Sequence, residues 1–139
     1  MLQNYLCFIQ RRNLPRLLAH YEMFKKIEHL PGAIVELGVF MGSGLFTWAN
    51  LLETFCPGDR IRKAIGFDDF EGYSKFAESD KSASSFIQNH DHSLTTSKEF
   101  IKNLVDLHNK DNILRGVERC RIIDGDITET VPEFVKNNQ

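Results

Sequence analysis

Apolar residues recur at steps of three and four along residues 14 to 30, which predicts an amphipathic helix. The stripe consists of Leu14, Leu17, Leu18, Tyr21, Phe24 and Ile27. Pro15 suits the first turn of this helix, and Pro31-Gly32 ends it. Similar patterns predict a helix over residues 43 to 55, opened by Ser43, and another over residues 97 to 109.

Short apolar runs between these helices predict strands. Residues 33 to 38 show no alternation of apolar and polar positions, which predicts a strand buried on both faces. Residues 64 to 68 and 119 to 124 predict two more strands, and a last helix begins at residue 130 with Pro132 in its first turn. The succession of strand, helix and strand at this spacing is typical of parallel βαβ units, so we expect an α/β fold.

The stretch from residue 74 to 96 breaks the pattern. It is rich in Ser, Asp and Lys and has few apolar anchors, which predicts a mobile loop or lid. His90-Asp91-His92 within it is only weak evidence for a metal site. At its end, Thr96 and Glu99 have the spacing of a capping box for the next helix.

Composition narrows the function classes. The chain has 139 residues, enough for one domain, and a net charge of -2, which gives no electrostatic argument for nucleic acid or an anionic membrane. Its three cysteines are far apart and form no CxxC pair, so a metal or disulfide framework is disfavoured and a reducing cytoplasm fits best. No apolar run approaches the length of a membrane span, and Arg11 and Arg12 follow the stretch YLCFI, the wrong side for a signal peptide.

A glycine-rich turn follows the first predicted strand. Gly38, Gly42 and Gly44 have the spacing GxxxGxG, which differs from the GxGxxG of dinucleotide sites, and no GK[ST] follows. Glu36 just before the turn has the wrong charge to lie beside a pyrophosphate. It suits a ligand with positive charge, and S-adenosylmethionine carries a sulfonium and an ammonium group.

Two more acids follow the next two strands. Asp68 ends the second predicted strand, where a carboxylate can accept hydrogen bonds from ribose hydroxyls, and Asp126 follows the third, where it can accept from an adenine amino group. Because the carboxyl ends of parallel strands meet at one edge of a sheet, we expect Glu36, Asp68 and Asp126 to face one crevice.

Three stretches resemble known motifs. VELGVFMGSG resembles the first motif of class I S-adenosylmethionine-dependent methyltransferases. IGFDDFEGY resembles the DSFEG or DTFEG signature of the macrocin O-methyltransferase family, and IIDGDITETVPEFV resembles its KGDxxETxP stretch. Members of that family methylate sugar hydroxyls in antibiotic and surface-polysaccharide pathways. The resemblance runs from about residue 14 to the end and implies a partial Rossmann-like fold, with three parallel strands of the usual seven-stranded sheet flanked by helices.

The resemblance also implies roles for single residues. The first motif places Glu36, Gly38, Gly42 and Gly44 beside the methionine and sulfonium part of the cofactor, and Phe40 and Met41 are also expected among the cofactor-binding residues. Asp68 would hold the ribose, and Asp126 with Ile127 the adenine. Asp69 stands where the family usually has Ser or Thr and puts an extra acid near the ribose.

The family's magnesium site and catalytic base lie beyond the third strand and have no counterpart in this sequence. The expectation is therefore a short segment over residues 1–13, followed over residues 14–139 by the cofactor-binding half of a methyltransferase domain. The chain alone would be inactive. The acceptor would be a small, sugar-like hydroxyl compound, with no nucleic-acid or membrane partner, and a homo-oligomer is possible.

Two alternatives stay open at this point. The same sequence could be a non-catalytic remnant or an interaction module with this fold. A nicotinamide-dependent oxidoreductase is the third reading, against which both the glycine spacing and Glu36 count.

Overall fold

The computed structural model describes residues 7, 9–72 and 96–138. In chain order the elements are α1 (Leu14–Ile27), β1 (Ile34–Leu37), α2 (Ser43–Phe55), β2 (Ala64–Asp68), α3 (Lys98–Lys110), β3 (Cys120–Asp124) and α4 (Ile127–Asn137). The predicted lid over residues 74 to 96 lies almost entirely outside the described residues, as does the His90-Asp91-His92 motif. No helix among the residues described is long and apolar enough to cross a membrane.

The three strands form one parallel sheet in the order β1-β2-β3. Within the described residues β2 is the central strand, since Ile65 lies opposite Val35 on one side and Arg121 on the other. Both connections pass through helices, as parallel strands require. The α/β fold expected from the sequence is confirmed.

Helices α1, α2 and α3 build the main core on one face of the sheet. The buried cluster joins them to β2 and β3 and contains Phe24, Val39, Leu45, Phe46, Trp48, Ala49, Leu52, Ala64, Ile101, Val105 and Cys120. Gly66 of β2 lies beneath it, and a Cβ there would collide with Val39 and come within 3.1 Å of Leu45. The absence of a side chain therefore lets α2 and the loop before it lie directly on the strand.

The opposite face of the sheet is only partly covered. Helix α4 packs on β2, where the Phe134 ring meets the Phe67 ring edge-on at 5.6 Å between centroids. On the same face of β1, Val35 is 48% exposed and Leu37 is 56% exposed. The prediction of a strand buried on both faces is therefore wrong for the described residues, because α4 covers β2 and nothing described covers these two side chains.

A buried arginine ties the amino-terminal ends of the strands together. Arg119 is fully buried, forms an ion pair with Glu53 of α2, and donates to the carbonyls of Arg62 at 2.9 Å and Asp59 at 2.8 Å. All three of its nitrogens thus have partners, which a buried guanidinium needs.

Several helix ends differ from the sequence-based expectation. Ser97, rather than Thr96, caps α3 by accepting from the Phe100 amide. Helix α2 begins at Ser43 as expected, and its N-cap is Gly42 in the left-handed region. Helix α4 begins three residues early, which places Pro132 inside the helix instead of in its first turn.

Candidate functional site

A crevice opens at the carboxyl ends of the three strands, where open α/β sheets bind their ligands. Its volume is about 350 Å³, within the usual range for small-molecule sites. Five residues predicted from the sequence line it: Gly38, Asp68, Asp69, Asp126 and Ile127. The acids that follow β2 and β3 are therefore brought together as expected.

Asp68 is engaged by the backbone of two loops. Its Oδ2 accepts from the amides of Val39 at 2.7 Å and Phe40 at 2.8 Å, in the loop after β1. Its Oδ1 accepts from the Phe70 amide at 2.8 Å, in the loop after β2. The Asp68 carbonyl also accepts from the Gly125 amide at 3.1 Å, so the loop after β3 is attached as well.

Two of these amides belong to phenylalanines with left-handed backbones. The φ angle is 49° at Phe40 and 56° at Phe70. This region is unfavourable for a bulky side chain, and such residues persist only where their surroundings hold them. Hydrogen bonds to a charged group, here Asp68, are among the stronger contacts available for that purpose.

The other two acids of the crevice accept hydrogen bonds from residues two positions further along the chain. Asp69 accepts from the Glu71 amide at 3.0 Å through Oδ1, a local turn. Asp126 is the N-cap of α4, and its Oδ1 accepts from both the amide and the hydroxyl of Thr128 at 2.9 and 2.7 Å. Both side chains still border the crevice.

Glu36 does not line the crevice but lies beneath the first turn of α2. Its Oε2 accepts from the Trp48 indole at 3.1 Å. A Cβ on Gly44 would lie 2.6 Å from the Glu36 carboxyl carbon, so this position accommodates only glycine while Glu36 keeps its place. Burial raises the pKa of Glu36 above its ordinary value, an effect that nearby His20 and the Trp48 indole oppose.

The glycines of the turn have different roles. At Gly38, with φ +85°, a Cβ would meet no described atom within 4 Å, so this position opens onto free space in the crevice. At Gly42, with φ +82°, a Cβ would lie 2.8 Å from Cδ2 of Phe46. Gly42 is therefore required by backbone conformation and packing, and the crevice does not reach it.

Phe40 and Met41, also predicted as cofactor residues, have exposed side chains and do not line the crevice. Four lining residues were not predicted: Leu37, Phe67, Gly72 and Gly125. The signal for Leu37 and Phe67 was available, since each is the last apolar residue before a strand-end glycine or acid. The exposed side chains of Leu37 and Ile127 give the crevice an apolar wall, whereas the side chain of Phe67 is buried against Phe134.

The crevice has an acidic character. Among the residues the structure describes, its lining contains three carboxylates and no basic side chain. No group of metal-ligating side chains is found within the described ranges. A larger cavity of about 810 Å³ lies between α1 and α2 and is lined by Arg16 and His20, but it is away from the strand ends.

The open sheet of three parallel strands flanked by helices is a partial Rossmann-like fold that matches solved methyltransferase structures. Two solved structures of CalS11 have the same fold. A crystal structure of CalS11, a calicheamicin methyltransferase, is 26% identical with a TM-score of 0.86, and the match covers 99% of this chain and 54% of that one. An apo structure of CalS11, described as a TDP-rhamnose 3'-O-methyltransferase of calicheamicin biosynthesis, is 25% identical with a TM-score of 0.75 and coverages of 99% and 52%.

The chain thus spans about half the length of the CalS11 structures it matches. No protein-family model and no curated protein matches it. The resemblance to class I methyltransferases seen in the sequence is confirmed.

Proposed function

We propose that this chain forms the cofactor-binding half of an S-adenosylmethionine-dependent O-methyltransferase of the macrocin type. The observation that carries the proposal is the crevice: an apolar wall and three carboxylates meet at the strand ends of a methyltransferase fold. The exposed side chains of Leu37 and Ile127 offer an apolar surface for the adenine ring, and the acids offer acceptors for its amino group and for the ribose hydroxyls.

The charge of the crevice favours this cofactor over a nicotinamide dinucleotide. A pyrophosphate needs amides or basic side chains, whereas the described lining supplies carboxylates. When bound, S-adenosylmethionine supplies a methyl group already activated on a sulfonium. The work of the protein is then to hold donor and acceptor in line and to exclude water. Gly38 contributes by leaving open space beside the chain at the mouth of the crevice.

The acceptor that we propose is the hydroxyl of a sugar or another small molecule, by likeness to CalS11. Magnesium belongs to the family resemblance, and the described residues offer no set of ligands that fits it, so we derive no step through a metal. The three cysteines are unpaired, which agrees with a reducing cytoplasmic setting as part of the proposal.

Calorimetric titration with S-adenosylmethionine, S-adenosylhomocysteine and NAD tests the proposal. We expect both S-adenosyl compounds to bind. In NMR spectra of the same titrations, the amide resonances of Gly38, Asp69 and Ile127 should shift, while that of Gly116, in the loop after α3, should stay unchanged. Binding of NAD alone, or shifts confined to the cavity between α1 and α2, would refute it. Radiolabelled methyl transfer to nucleotide sugars separates an enzyme from an interaction module that only holds the cofactor.

A further inference from the structure

We propose that the two adjacent aspartates at the end of β2 divide the work of the site. Asp68 is a positioning residue that fixes the loops around the crevice, and Asp69 supplies the carboxylate for the ribose hydroxyls. The assignment of Asp69 rests on the proposed function, whereas that of Asp68 stands on the contacts of the free protein.

The hydrogen-bonding capacity of the two side chains separates them. A carboxylate offers about four lone-pair positions, two on each oxygen. Asp68 uses three of them on the amides of Val39, Phe40 and Phe70. One position is left, on Oδ1, so Asp68 has no second oxygen free to accept from a second ribose hydroxyl.

Asp69 has the capacity that Asp68 lacks. Within the described part of the chain, Asp69 accepts only from the amide of Glu71, through Oδ1, and its Oδ2 has no hydrogen-bond partner. The side chain lines the same crevice and is partly exposed there. It can therefore receive two hydroxyls without releasing any contact that shapes the loops.

The contacts of Asp68 explain why the loops depend on it. Phenylalanine has no polar side-chain group that could stabilise its own left-handed backbone, and both Phe40 and Phe70 adopt one. The carboxylate of Asp68 binds both amides, and its carbonyl binds the Gly125 amide. One residue thus contacts all three loops that border the crevice.

Binding of two ligands distinguishes the two roles. S-adenosylhomocysteine and its analogue lacking both ribose hydroxyls are titrated into wild type, Asp68→Asn, Asp69→Asn and the control Asp106→Asn, an exposed aspartate on α3. Asp69→Asn should weaken binding of the full ligand about tenfold or more and leave the analogue unaffected, since hydrogen bonds to a charged group are lost. Asp68→Asn should weaken both ligands by the same factor, and Asp106→Asn neither. If Asp68→Asn weakens binding of S-adenosylhomocysteine but not of the analogue, and Asp69→Asn weakens neither, the proposed roles of the two aspartates are wrong.

Amide hydrogen exchange tests the Asp68 role without any ligand. In Asp68→Asn the amides of Val39, Phe40 and Phe70 should exchange at least about tenfold faster, while the core amide of Ala64, bonded to the Arg119 carbonyl, keeps its rate. In Asp69→Asn these three amides should be unchanged. Unaltered exchange in Asp68→Asn overturns the positioning role. If wild type binds neither ligand, the proposed function and the Asp69 assignment both fail, and exchange still decides the role of Asp68.

Discussion

Substitution of Gly44 by alanine tests whether Glu36 is fixed beneath α2. A methyl group at this position would lie 2.6 Å from the Glu36 carboxyl carbon, so the carboxylate must move and give up its hydrogen bond from Trp48. That loss costs about 1.5–3 kcal/mol, and local overpacking adds about 1–3 kcal/mol. Alanine gains at most about 1 kcal/mol in helix propensity. We expect Gly44→Ala to lower the free energy of unfolding by about 1.5–6 kcal/mol.

The same substitution should behave differently once Glu36 is shortened. In a Glu36→Ala background the new methyl group meets no carboxylate, so Gly44→Ala should be neutral or stabilising by up to about 1 kcal/mol. Urea denaturation of the four proteins measures the coupling, and Gly58→Ala serves as the control because a Cβ there would meet nothing within 4 Å. An equal loss in both backgrounds would refute the contact between Glu36 and Gly44.

Three further outcomes follow from the structure. Arg119→Met should lower the free energy of unfolding, measured in urea, by about 3–5 kcal/mol because Glu53 loses its buried partner. Adding Glu53→Leu to this variant should restore part of that free energy, and no restoration would contradict the pairing. Because the folded pKa of Glu36 is raised, its protonation favours the native state, so the stability it contributes is present below pH 4.5 and is lost as pH rises through the folded pKa. In chemical denaturation, the free energy of unfolding of Glu36→Gln should therefore rise relative to that of wild type as the pH increases from 4 to 7. If the difference between the two proteins is the same at every pH, the raised pKa of Glu36 is refuted. No described residue covers the apolar face or the outer edge of β1, so we expect this chain to self-associate in sedimentation, and Val35→Lys with Leu37→Lys should reduce the association. A monomer unaffected by these changes would show that the face is not adhesive.

The bounds of helices and strands could be predicted from the sequence where neighbouring residues determine them. The bounds of α2 and β2 agree with the sequence because a glycine turn precedes α2, Pro57-Gly58 follows it, and β2 ends at an acid. The cap of α3 was placed one residue too early, since Thr96 and Ser97 are both acceptable caps and only the backbone decides between them.

The roles of the site residues depended on contacts between distant parts of the chain. The sequence predicts that Asp68 ends a strand and faces the crevice at the strand ends, and the structure places it there. It could not show that the amides of Val39 and Phe40, 29 and 28 residues away, turn toward its carboxylate. In the same way, Glu36 was expected in the crevice because it precedes a glycine turn, but the pleat of β1 directs it to the α2 face.

The contact of Gly66 with Val39 and Leu45 has a consequence for how such sequences can diverge. Any side chain at position 66 must be matched by a loss of volume at position 39 or 45, because a Cβ there has no room. Relatives that replace the glycine by alanine should therefore carry a smaller residue at one of those two positions. A library in which the three positions vary together would recover folded members in which their summed volume is nearly constant, with changes in one position permitted only by changes in another.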